Sequence, residues 1–493
     1  MKPIRRLGLF SIVVAISQPL AAQSTWNGTT NANWSTATNW SPGIPVDPSN
    51  LIIADTTTNS TLNLDNGSHS VGSITIGTTG TRTSGFTLNS TTANTLTING
   101  GVTAAGNFTA GIGARIRGNI VIPADQTWLV SGEVGTHSVD RGIAINEVAS
   151  SGVVGSLALN ANFNKSGTGQ LTMGAINVTG TGDINLNEGS LKLNAGGSLP
   201  LTVGGTGKIA VNNSATLMFA KNSGSFSITR PIQFNNTSKL ETGGTFGTTG
   251  TFDIASDMAW NGIHTITNNS SAVALNFRFT GVMSGSGIIT KTGASSLTLS
   301  GTSANTISSD VTVSGGTLAL DKTGVIAVPG NILVTGGGIN IVQSNQMSNT
   351  STLTLTGGTI SASSGRTQTL AALNISTTVV APSVSGFNIT GTTSITSGTA
   401  ELNSGQTFTT NALSISNNAT LRMVGNHTTG FSTINVGAGG LTLTGSTIRF
   451  GNNGNTGTLL LNLGGDVVST GTSFFTVGSP PGPRVTDLLA GSR

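Results

Sequence analysis

The strongest constraint on this chain is a short alternation of apolar and polar residues that restarts about every 20 residues. Typical cases are Ile74-Thr75-Ile76, Leu171-Thr172-Met173, Leu191-Lys192-Leu193, Leu297-Thr298-Leu299, Val311-Thr312-Val313, Leu353-Thr354-Leu355 and Leu441-Thr442-Leu443. A period of two means a strand with one face turned to a core. Leu, Ile and Val point inward; threonine, polar and β-branched, suits the solvated face. The alternations are separated by Gly, Asn and Ser, which supply corners with positive φ. Beyond the first 22 residues, no segment of ten or more has helical spacing.

Strand pairs recur at Leu171 and Leu191, Leu297 and Leu318, and Leu353 and Leu373, the range for one turn of a solenoid. A sandwich or barrel closes within about 100 to 250 residues. Here one texture continues for over 400 residues without a linker. Each strand buries only two or three side chains, worth about 1.5–3 kcal/mol apiece. One coil cannot offset its own ordering entropy, whereas stacked coils cover one another. The expected fold is therefore all-β, a right-handed parallel β-helix.

Its organisation follows from the flanks. Lys2, Arg5 and Arg6 precede an apolar run, Leu7 to Ile16, too short to span a bilayer. Residues 1–22 read as a signal peptide cleaved after Ala22. Residues 23–50 read as an N-terminal cap, with Trp26, Trp34 and Trp40 among only five tryptophans, and with Pro42, Pro45 and Pro48. The solenoid is assigned to 51–478 and a Pro-rich tail to 479–493. Cysteine is absent, which suits an exported chain and removes thiolate metal sites. The formal net charge is +4, and three of those charges lie in the leader. So weak a field gives no reason to expect nucleic acid as a partner, and no later segment reads as transmembrane.

One stretch carries a resemblance. Met283-Ser-Gly-Ser-Gly-Ile-Ile-Thr-Lys-Thr-Gly-Ala-Ser-Ser-Leu-Thr-Leu-Ser-Gly301 is followed by Val311-Thr-Val-Ser-Gly-Gly-Thr-Leu-Ala-Leu320. It resembles the autotransporter-associated β-strand repeat of exported bacterial passenger domains, here at 283–320. A weaker copy is Asn164-Lys-Ser-Gly-Thr-Gly-Gln-Leu-Thr-Met173, continuing to Gly189-Ser-Leu-Lys-Leu193. The resemblance implies a parallel β-helix, export, and life at a bacterial outer surface or outside the cell. It implies no catalytic residues and no cofactor. Such passengers are delivered by a C-terminal membrane barrel with aromatic girdles; this sequence, without tyrosine, reads as lacking one.

Chemistry is sparse. His69, His137, His264 and His427 are scattered and form no metal-binding motif. No nucleophile elbow or phosphate-binding loop is present; Gly207-Lys208 runs into Ile209. The densest polar cluster is Asp125, Glu133, His137, Asp140, Arg141 and Glu147. Asp125 and Glu147 lie about one coil apart and are candidates to stack on one face, as paired carboxylates of a hydrolase would. The competing reading is an irregular coil with a longer solvated loop. Trp26, Trp34 and Trp40 are either a cap or an aromatic platform for sugars. The expected function is a non-catalytic, adhesin-like surface protein touching glycans or matrix, with a β-helical polysaccharide lyase or hydrolase as the alternative.

Overall fold

The computed structural model describes residues 22–477 except 56–59, 78–80, 83–84, 91–92, 105–106, 109–112, 132–141, 147–153, 196–198, 222–225, 243–249, 269–274, 364, 378–385, 403–405, 424–430 and 451–457. The leader (Ala22 apart) and the tail lie outside these residues. Within them the protein is a β-solenoid whose only helical element is the 3₁₀ turn Ala37–Asn39. Among the described residues no helix is long and apolar enough to cross a membrane.

One coil consists of three strands. Phe163–Ser166, Gln170–Met173 and Ile176–Gly180 are followed by Ile184–Leu186, Ser190–Ala195 and Leu201–Val203, each laid parallel on its counterpart one coil earlier. Three faces result, here called first, second and third in that order. The spacings read from the sequence are register partners: Leu171 lies beside Leu191, Leu297 beside Leu318 and Leu353 beside Leu373. Inward residues from all three faces merge into one apolar column from Trp26 to Leu463.

The first coil is closed by its own chain. Trp40-Ser41 runs antiparallel to Thr25-Trp26, the only antiparallel ladder among the described strands, and occupies the edge that a preceding coil would fill. The Trp26, Trp34 and Trp40 indoles are buried beneath it, packed edge to face at centroid distances of 5.0 and 4.9 Å.

Coil length varies along the stack. Gln126 sits beside Phe163, a step of 37 residues, whereas Phe163 sits beside Ile184, a step of 21. Through Ser296, Thr317, Gly338 and Thr359 the step holds at 21. In these short coils the described first face holds no full strand between Met283–Gly285 and Gln368–Leu370, only a bridge between Val328 and Met347. Buried side-chain amides take over its hydrogen bonds. Asn305 accepts from Met283 N–H at 2.9 Å and donates to Ala327 O at 2.8 Å. Gln346 accepts from Lys322 N–H at 2.7 Å and donates to Lys322 O at 2.8 Å. Gln368 accepts from the Gln346 and Met347 N–H groups at 2.7 and 3.0 Å. Each amide couples its coil to a neighbour as a strand would. The corner after the second face is a column of glycines, Gly316, Gly337 and Gly358, at φ of 63°, 70° and 73°. A Cβ on Gly337 would sit 2.2 Å from the Gly316 carbonyl oxygen, so the stack admits only glycine there.

Candidate functional site

Of the polar cluster, Asp125 alone lies among the described residues. Glu133, His137, Asp140, Arg141 and Glu147 lie outside the described residues. Asp125 is described, and its coil neighbour is Asn162, because the step here is 37 residues. The expected stacking of Asp125 with Glu147 involves a residue outside the described ones; what the structure describes is that the counterpart of Asp125 one coil on is Asn162. Asp125 Oδ1 accepts from Asn162 N–H at 2.8 Å, and Oδ2 from Asn162 Nδ2 at 3.3 Å. Asn162 Oδ1 in turn accepts from Asp183 N–H at 3.0 Å, and Asp183 Oδ1 from Lys208 N–H at 2.9 Å. Asp125 thus heads a corner ladder in which each acidic or amide side chain tethers the backbone one coil on.

The other flagged residues disperse. His69 stacks on Trp34 at a centroid distance of 4.2 Å, near the N-terminal cap. His264 is buried many coils away, with Nδ1 3.0 Å from the Ser238 hydroxyl and Nε2 without a partner; burial holds its pKa below the usual 6.5. His137 and His427 lie outside the described residues. Among the described residues no three His, Asp or Glu side chains are close enough to hold a metal ion. The three cap indoles are buried, so they present no open platform to a sugar.

Buried cations are a feature the sequence reading missed. Lys165, Lys291, Lys322 and Arg230 are all fully enclosed. Lys291 Nζ donates to the carbonyls of Thr292 at 2.8 Å, Gly293 at 3.1 Å and, in the next coil, Gly315 at 2.9 Å. Lys165 Nζ donates to its own corner at Gly167 and to Glu188 O in the next coil at 2.9 Å. These are the lysines of the two repeat-like segments, and both bind the corner carbonyls of two successive coils. Burial lowers the Lys165 and Lys291 pKa to about 8. Arg230 reaches back to Gly182 O at 2.6 Å and Gly180 O at 3.1 Å. A Cβ on Gly205 or Gly207 would lie 2.8 or 2.7 Å from its guanidinium nitrogens. The glycines that mimic a phosphate loop in the sequence thus make room for a cation from the same chain.

The outer surface differs between faces. On the third face, ion pairs join successive coils at Asp253–Arg278 and Glu401–Arg422. Among the described residues the second face carries no such pair between Thr265 and Thr470. Register aligns Thr265, Thr290, Thr312, Leu333, Thr354, Asn374, Ser394, Ser414 and Thr442 in one row. Two residues along each strand runs a second row. In it Thr292, Ser314, Thr335, Thr356, Ser376 and Thr396 direct their hydroxyls at the carbonyls of Ile266, Lys291, Val313, Val334, Leu355 and Ile375 in the coil before, at 3.2–3.5 Å. Six consecutive coils repeat one hydroxyl-to-carbonyl contact, and Thr292 also donates to the Thr267 hydroxyl at 3.0 Å.

No protein-family model matches this sequence, and neither a curated protein nor a solved structure matches it.

Proposed function

We propose that the protein is a structural, adhesin-like β-solenoid of the passenger type, exported and displayed at or released from a bacterial surface, without catalytic activity. The observation that carries this reading is the single unbroken stack whose outward rows are hydroxyls and amides with few charges. Such faces make many shallow hydrogen bonds with glycans or matrix and few deep ones. The use of Asp125 as a corner tether supports it further. The test is binding of the full mature chain to arrayed glycans and matrix proteins, scored against a charge-matched globular control. Retention on neither would sink the adhesive part of the reading. Sequencing the N-terminus of the exported form tests cleavage after Ala22.

The polysaccharide-active alternative keeps one supporting observation: the step from Gln126 to Phe163 is 37 residues, and in sequence the other polar residues of the cluster fall within it. Depolymerisation of a polysaccharide by the wild type, lost in Asp125→Ala with unchanged melting, would establish that reading instead.

A further inference from the structure

The hydroxyl rows of the second face have a property that the adhesive reading does not use. Rows on neighbouring coils are about 4.8 Å apart, and positions i and i+2 along a strand are about 6.7 Å apart. Both spacings are locked by the backbone ladder, so the face is a two-dimensional lattice made mostly of hydroxyls and threonine methyls, interrupted in the first row by Leu333 and Asn374 and bordered by Ile263, Ile288 and, in the last coil, Val468. In the second row the hydroxyls are oriented by donation to carbonyls one coil below. These bonds hold the hydroxyls and, at Thr335 and Thr356, the methyls in place, so ordering them on binding costs little further entropy.

We propose that this face, between Thr265 and Thr470, binds ice. Three arguments select an ordered water lattice over other partners. First, one hydroxyl exchanging bulk water for another partner gains little, about 1 kcal/mol. A lattice of them gains most when the partner repeats at the same spacing, as a crystal does and an irregular protein surface does not. The oxygen rows of ice repeat at nearly the inter-coil distance. Second, the two rows hold no charged side chain, whereas the third face carries Asp253, Arg278, Glu401 and Arg422. Charges keep their own tight hydration shells and would disrupt a water lattice, so the second face is the one able to template it. Third, the rows hold no aromatic ring. A crystalline polysaccharide, the other periodic solid, is held by stacking sugar rings on aromatic faces.

The test uses the full mature chain and single ice crystals. The expected result is faceted growth, a gap between freezing and melting temperatures, and inhibited recrystallisation. Thr354→Tyr, which raises a ring from the centre of the lattice, is expected to abolish all three while leaving the melting curve unchanged. Thr356→Val, which keeps the shape and removes one oriented hydroxyl, is expected to weaken them. It also serves as the informative variant if the tyrosine disturbs folding. Asn340→Tyr on the third face is expected to behave as wild type. Rounded, unmodified crystals with the wild type would overturn the proposal. So would full activity in both second-face variants, or retention on crystalline cellulose or chitin without any effect on ice. None of these outcomes bears on the glycan and matrix binding tests above.

Discussion

The coils between Leu201 and Thr292 and those between Ser296 and Ser376 solve one packing problem in two ways. In the first region the steps run from 20 to 26 residues, mostly 23 to 26, and large rings fill the interior. Trp260 lies flat on Phe234 at 4.0 Å, and Phe219, Phe252 and Phe277 cluster within 6.0 Å of one another. In the second region the step is 20 to 22 residues, and no Phe or Trp occurs between Phe279 and Phe387. Interiors pack at nearly constant density, so perimeter and core volume must shrink together. The shorter perimeter gives up most of one strand, and Asn305, Gln346 and Gln368 restore its hydrogen bonds from side chains. Longer steps return with Phe450 stacked on Phe475.

The comparison breaks most severely at Gln346. Replacing it with Leu leaves the Lys322 N–H and C=O and the Val325 carbonyl without partners, a loss of roughly 3–6 kcal/mol. Hydrogen exchange should speed up in coils 323–370 before those near Phe234. A Gln346→Leu protein as stable as wild type in urea would mean the amide is no substitute for a strand. In the aromatic region, Trp260→Ala is expected to cost about 3–5 kcal/mol through the cavity it leaves, with exchange rising around Phe234 instead.

A pH titration sharpens the contrast between buried cations and buried rings. Burial lowers Lys165 and Lys291 from 10.5 to about 8, so the unfolded chain holds more protons between those values. Stability is expected to be level below pH 7 and to climb by about 1–3 kcal/mol per lysine between pH 8 and 10.5. Lys291→Met should remove one lysine's share of the climb in a urea series over that range. The smallest effect is at the exposed Asp253–Arg278 pair, where Arg278→Ala is expected to cost under about 1 kcal/mol and to become silent at high salt.

Much of the frame was legible in the sequence because strand period and coil spacing are local properties. Leu297 and Leu318 announce each other by hydropathy alone, and the structure sets them side by side. What stayed hidden depends on contacts between coils. Nothing local marks Lys291 as buried; the carbonyls of Thr292, Gly293 and Gly315 converge on it only once the coils stack. Nothing local marks Gln346 and Gln368 as buried either; their role follows from the missing strand, which leaves N–H groups to satisfy. Asp125 drew attention as a candidate acid because nothing nearby in sequence shows that its partner is Asn162.

The coil of 37 residues shows how such a rod accommodates novelty. On either side of it, Gln126 to Leu129 and Phe163 to Ser166 remain in register, and the next coil resumes at 21. Lengthening a loop costs only about 0.6 kcal/mol for each doubling. Extra sequence can therefore enter at a corner without lengthening the axis, breaking a rung or disturbing the alignment of coils further along. A lineage of such proteins would be expected to diverge by grafting at its corners while its ladders stayed fixed.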